Sequence, residues 1–306
     1  MKLAIKKNKC VVSIQVVMSI VSLSLFNQAV FAASDATMLR HSTATPAGGK
    51  LEVEVSGGGD VRWILPGQRA LDPAVFGTPA APLGFEPGVG VPIAARLKNA
   101  DGSAWTTTAM PTPFSDNYKK ISGSFKLELK DQSIYDSNLS KDKVNFSAEF
   151  TSPDGANSYK VMVKKVIPVG IDHPFLGGVA TNFVQHGMTG IGTRLMPTAF
   201  TYVAFWGVGR LQVNGVEVAN NRVVHMMTTC AVRDADYKLV FDQGVDCSKI
   251  QTHLLLSNVA VTPDGPVTSP VPTEFILGNG MAQPFMHIMF GDNKISGVET
   301  VNNKVD

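Results

Sequence analysis

The chain predicts an all-β fold, an antiparallel β-sandwich or jelly-roll-like architecture of one or two lobes with a proline-rich surface excursion. Three observations point there. Apolar and polar residues alternate with a period of two over many short segments. Turn chemistry separates those segments. No stretch of the chain past its first thirty residues has the length and periodicity of a long amphipathic helix.

The strands can be read in order. In "LEVEV", Leu51, Val53 and Val55 face away from Glu52 and Glu54. "FKLELK" sets Phe125, Leu127 and Leu129 against Lys126, Glu128 and Lys130, and "VNFSAEF" alternates through Val144, Phe146, Ala148 and Phe150. "YKVMVKK" from Tyr159 begins the same way. "SPDGANS", Ser152 to Ser158, has hairpin-turn composition. "LQVNGVEV" carries Asn214-Gly215, the residue pair that a type I′ turn wants at positive φ. "TPDGPV", Thr262 to Val267, marks another turn, and "ALDPAVFG" has room for a turn or two of helix.

Residues 66–113 break the pattern. They hold eight prolines, and each proline lacks the backbone donor that a central strand needs. This segment reads as a long surface excursion with an edge strand near "VPIAARLKN", either a covering loop or a mobile lid. Composition shifts again near "VIPVGIDHPFLGG", Val166 to Gly178. Ahead of it, residues 33–168 form a region of amphipathic, lysine-dotted strands. After it, residues 169–306 supply strands apolar on both faces: "TAFTYVAFW", "RVVHMMTTC", "THLLLSNVAV" and "PFMHIMF". Strands of that kind are covered on both sides.

Residues 1–32 read as a secretory signal: Lys2, Lys6, Lys7 and Lys9, then an apolar run from Val11 to Phe26, then a small-residue cleavage pattern ending at Ala32. The expected location is therefore periplasmic or extracellular, with no membrane span after cleavage. The whole chain has 27 Lys and Arg against 25 Asp and Glu. Loss of the four signal lysines leaves 23 against 25, a net charge of −2 over 274 residues. Such a balance gives no electrostatic case for nucleic acid. Beyond the signal there are two cysteines, Cys230 and Cys247, which an oxidising compartment would join across a short loop.

Motif chemistry is sparse. There is no G-x-S-x-G elbow, H-E-x-x-H helix, Walker loop or G-x-G-x-x-G turn. "NADGSAW", Asn99 to Trp105, has part of a calcium-loop pattern but lacks its closing glutamate, and reads as a tight turn. Asp172 and His173 are neighbours before Pro174, so on an extended chain they face apart.

The most specific pattern is His-x-Met, which occurs three times: His186/Met188, His225/Met227 and His287/Met289. Six histidines and ten methionines in 274 residues would give about 0.2 such pairs by random placement, on the pattern count that periodicity arguments require. In a strand, residues i and i+2 share a face. An imidazole and a thioether set that way form a soft ligand pair suited to Cu(I). Core packing by methionine and a hydrogen-bonded histidine is the competing reading of each pair.

These features lead to an exported, non-enzymatic binding or surface-structural protein whose ligand or protein partner the sequence does not name. The first alternative is a Cu(I)-binding protein that uses the His-x-Met pairs, with copper as its cofactor. The second is a secreted hydrolase with a dispersed site, since a triad need not be local in sequence.

Overall fold

The structure is a computed structural model, and it describes residues 51–84, 93–107, 114–132, 141–167 and 178–301. The signal-like segment 1–32 and the Asp172-His173 dipeptide lie outside the described residues.

Among the described residues, every strand pairing is antiparallel. The strands that build its main sheet are β1 (Leu51–Gly58), β2 (Val61–Ile64), β5 (Tyr118–Ile121), β6 (Gly123–Asp131), β7 (Lys143–Thr151), β8 (Ser158–Val166), β9 (Val179–Gln185), β10 (Ala199–Val213), β11 (Val216–Ala231), β12 (Asp246–Thr262), β13 (Gly265–Thr268), β14 (Met286–Phe290) and β15 (Lys294–Ser296). A separate two-stranded ribbon pairs β3 (Leu97–Lys98) with β4 (Trp105–Thr106).

Three pairs of these strands are bent staves rather than separate elements. β1 runs into β2 through Gly59, whose φ of 89° makes the bend. β5 runs into β6, and β1/β2 keeps one register along both: Leu51 opposes Asp131, and Val61 opposes Ile121. β14 runs into β15, and this stave lies along the other side of β1/β2, with Ile295 opposite Val55 and Ile288 opposite Trp63. Between them, β6, β7, β8, β10, β11, β12 and β14 pair in succession. The curled sheet therefore meets itself as a barrel of eight staves in meander order. The all-β antiparallel class is the one expected from the sequence, but neighbour-to-neighbour pairing is a meander rather than the Greek-key order of a jelly roll, and the two expected regions contribute strands to one sheet through β8 and β10.

Local chemistry explains the staves. Asn214 (φ 51°) and Gly215 (φ 82°) close the β10–β11 hairpin, with Val213 opposite Val216. β7 turns into β8 through Ser152–Asn157, where Thr151 pairs Ser158. Pro73–Phe76 forms one turn of helix, α1, capped by the Asp72 carboxylate on the Ala74 N–H at 2.8 Å. In "NADGSAW", Asp101 accepts from the Ser103 N–H at 2.9 Å, an Asx turn as expected.

An eight-stave barrel is just wide enough for its interior to fill with side chains. Val53, Val55, Leu127, Phe146, Val163, Phe205, Met226, Leu254, Ile288 and Phe290 occupy that interior. Trp63 is fully buried in it, with ring centroids of Tyr159, Phe275 and Phe150 at 5.4, 5.6 and 5.9 Å. Its indole N–H donates to Gln283 Oε1 at 3.1 Å, and the same amide donates to the Ile64 carbonyl.

The outer surface is two-sided in character. On β1, β6, β7 and β8 it is wet, with Glu52, Lys126, Lys130 and Glu149 exposed. On β10, β11, β12 and β14 it is roofed by loops, which is why these strands are apolar on both faces. Phe114, past the proline-rich stretch, packs against Leu71, Phe76, Trp105 and Leu195, and also against the cluster of Ala204, Met227 and Val232. The Arg233 guanidinium donates to the Ser115 carbonyl, and the Leu239 N–H to the Asp116 carboxylate, fastening the β11–β12 connection to the segment that follows the excursion. A Cys230–Cys247 disulfide closes that connection at its base, as expected. Closing a loop of this length is worth on the order of 3 kcal/mol.

Candidate metal centre

Three adjacent strands lay out the histidines and methionines. Across β11, β12 and β14, one register row reads His225, Leu255, His287, and the next reads Met227, His253, Met289. Directly opposed residues share a face. The two rows therefore set three imidazoles and two thioethers around Leu255 on the outer, roofed side of the barrel. His253, His287, Met227 and Met289 are buried, and His225 is half-buried.

His186 joins from the end of β9. The expected strand alternation stops there: His186 has φ 68° and Gly187 φ 55°, so the chain turns. His186 is buried against the layer, whereas Met188 is 56 % exposed and does not share its face. Of the sequence-predicted ligands, the fold thus brings together His186, His225, Met227, His287 and Met289, and leaves Met188 outside.

Hydrogen bonds decide what each group can do. His186 Nδ1 accepts from the Thr193 backbone N–H at 3.1 Å. Neutral imidazole has one N–H, so His186 Nε2 carries it and points it at Met227 Sδ, 3.4 Å away. The Gln185 amide N–H reaches the same sulfur at 3.4 Å and Thr201 Oγ1 at 2.8 Å. Arg233 Nε–H donates to Met289 Sδ at 2.9 Å. Both thioethers therefore serve as acceptors for buried donors, a reason for methionine in a position where leucine would pack equally well but accept nothing. His186 and the two sulfurs are committed to these bonds.

The other imidazoles make different contacts. His225 Nδ1 lies 3.0 Å from the Phe205 carbonyl, which can only accept, so the proton is on Nδ1 and Nε2 holds the lone pair. A carbonyl bonded to the far ring nitrogen commonly fixes the tautomer and orientation of a metal-ligating histidine. The indole of Trp206, opposite on β10, stacks on this ring at 4.0 Å and 14°. His253 Nδ1 lies 3.3 Å from His287 Nε2, with the two rings stacked at 5.5 Å. His253 Nε2, fully buried, meets no hydrogen-bond partner.

The layer is electrostatically severe. Burial, and then the His225 charge, hold His186 down to about 3. Burial, then His287, Arg233, His186 and His225, hold His253 well below the ordinary imidazole range. Both rings are therefore neutral at physiological pH, the ligand-competent form. The Arg233 guanidinium acts on the His253 ring, and Arg69 in turn feels Arg233. Arg69 and Arg233 are each lowered to about 10 by burial, and both remain cationic.

Spacing within single strands could not reveal His253 as part of the layer. It has no methionine two residues away, and its relation to Met227 and Met289 exists only across the β11–β12–β14 register. Arg233, Gln185 and Trp206 were likewise without a sequence signal. Among the described residues, no three His, Cys, Asp or Glu side chains converge to form a metal site. No family model matches the chain, and comparisons with curated proteins and with solved structures gave no match either.

Proposed function

We propose that the chain is an exported, non-enzymatic binding protein whose roofed face holds one soft monovalent metal ion, Cu(I), between His225 Nε2 and His253 Nε2. The observation that carries this reading is the partnerless, buried Nε2 of His253. A polar atom in that position costs about 1–3 kcal/mol unless something occupies it. His225 and His253 occupy diagonal positions on neighbouring strands, a distance long side chains bridge.

The chemistry of the donor set selects the ion. Zinc takes four ligands in closed sites and usually three in catalytic ones. Two imidazoles are short of that, and they suit a d¹⁰ ion content with few ligands. Export is supported by the signal-like start and by the disulfide, which belongs in an oxidising compartment.

Silver(I), a redox-inert analogue, tests the reading through the Trp206–His225 stack. Titration with Ag(I) is expected to quench tryptophan fluorescence with a one-to-one end point. The quench is expected to vanish in Trp206→Phe while silver retention persists, because Trp63 and Trp105 pack elsewhere. His253→Ala is expected to lower Ag(I) affinity at least a hundredfold. Retention unchanged in His253→Ala, or no silver bound by the folded parent protein, rejects the proposal.

A further inference from the structure

We propose that the chain associates head to tail with further copies of itself: the acidic, partly apolar turn end of one barrel seats on a lysine patch at the opposite end of the next. No residue of the proposed metal site takes part.

The lysine patch follows from strand register. Along the wet face of β6, β7 and β8, Lys126 holds Glu128 at 2.6 Å, Lys160 holds Glu149 at 2.7 Å and Lys130 holds Glu52. At the end where β1 begins, the pairing stops. Lys143 stands directly opposite Lys130, and like charges so placed destabilise a sheet. Between β8 and β10 the register slips: Lys165 pairs Val208 and Val163 pairs Gly209. Lys164 is the extra residue of this bulge, and both lysines reach solvent. Lys141, just ahead of β7, is exposed too. Among the described residues, Lys141, Lys143, Lys164 and Lys165 make no ion pair. The carboxylates next to them in sequence are buried. Asp142 accepts from the N–H of Gln132 at 2.8 Å and of Val179 at 3.4 Å, and Asp131 from the Thr181 hydroxyl at 2.7 Å.

The other end of the barrel carries the complement. The β7–β8, β10–β11 and β12–β13 turns project there, and Val271–Leu277 closes it. That segment alternates: Val271, Phe275 and Leu277 pack into the interior, so Glu274 and Ile276 face solvent. The Tyr159 hydroxyl donates to the Thr273 carbonyl and ties the segment beside the β7–β8 turn. Asp154, Asp264 and Glu274 are exposed and make no ion pair among the described residues. Arg210 and Lys160 approach this end but are already held, by Glu217 at 3.8 Å and Glu149 at 2.7 Å. Val216, Val267, Ile276 and Met281 add exposed apolar side chains at the same end. Apolar surface rimmed by charge marks an interaction site. Its electrostatic complement stands on the far end of every other copy. The two faces differ, so the contact is heterologous, each pair keeps a free end of either kind, and chains grow.

Sedimentation velocity on the parent protein tests this. At about 0.01 M ionic strength, where charges reach about 30 Å, the mean mass is expected to rise with concentration past two copies. At about 0.15 M, where they reach about 8 Å, association should weaken about tenfold or more. Two double variants at exposed positions, Lys143→Glu/Lys164→Glu and Asp264→Lys/Glu274→Lys, should each lose association by about tenfold or more. An equimolar mixture of the two should associate again, because each supplies one unaltered end. A parent protein that stays monomeric at low salt overturns the proposal. So do variants that associate as the parent does, a mass that stops at two copies, or a mixture that stays monomeric. Phosphatidylglycerol vesicles test the competing use of the lysines. Vesicle binding that is lost in Lys143→Glu/Lys164→Glu, with no self-association of the parent, assigns the patch to a lipid surface and overturns the proposal.

Discussion

Replacing Trp63 by alanine should cost this protein more than any other single change in the barrel interior. The indole is fully buried and touches three aromatic rings at centroid distances of 5.4–5.9 Å. Large-to-small substitutions of this kind cost about 3–5 kcal/mol. The loss would not end with the cavity. Gln283, also fully buried, would lose the indole N–H as a donor to its Oε1, a further penalty of roughly 1–3 kcal/mol. That sum approaches the whole stability of an ordinary domain. Equilibrium denaturation would show the midpoint collapsing in Trp63→Ala, with a smaller loss in Trp63→Phe, which keeps the ring contacts. A midpoint within experimental error of the parent would mean that the interior is not packed around this residue.

The second large effect is acid sensitivity of the metal-free protein. His186 is held near 3 in the folded chain against about 6.5 when unfolded. Between those values the unfolded chain binds a proton that the folded chain refuses, so stability rises with pH across the window and falls as the solution is acidified from about 6.5 toward 3. The slope approaches 1.4 kcal/mol per pH unit for each such histidine. His253 shifts in the same direction, chiefly through burial, and adds to the slope. Carboxylates titrate over part of this range, so the discriminating comparison is with His186→Gln, which keeps polar capacity but takes up no proton. Its denaturation midpoint should change less between pH 6.5 and 4.5 than that of the parent. Equal slopes in the two proteins would remove His186 as a source of the effect.

Much of the fold was legible because alternation reports one buried face directly. Val53, Leu127 and Phe146 point inward as their spacing required, and Asn214-Gly215 turns where its backbone preference required. The closure of the sheet was not legible. It depends on β1/β2, β5/β6 and β14/β15 continuing through short bends. A bend such as Gly59 reads in sequence as the end of a strand. A meander barrel and a sandwich also share the same local alternation. What distinguishes them is pairing between the first and last staves, a contact over more than two hundred residues.

The candidate site was half legible for the same reason. His225/Met227 and His287/Met289 share a face because each pair lies within one strand. "QHGMTGIG" carried a warning in its three glycines, and positive φ at His186 and Gly187 duly sends Met188 to solvent. The role of methionine also differs from the ligand role that spacing suggested. Met227 and Met289 accept hydrogen bonds from Gln185, His186 and Arg233, and those donors become visible only when distant segments roof the strand face.

X-ray absorption at the copper edge, on Cu(I)-loaded protein, reads the atoms bound to the ion. Binding between His225 and His253 gives a shell of imidazole nitrogen without thioether sulfur, retained in Met227→Leu and lost in a protein carrying both His225→Ala and His253→Ala. A sulfur shell at bonding distance, or an unchanged nitrogen shell after both histidines are removed, would contradict it.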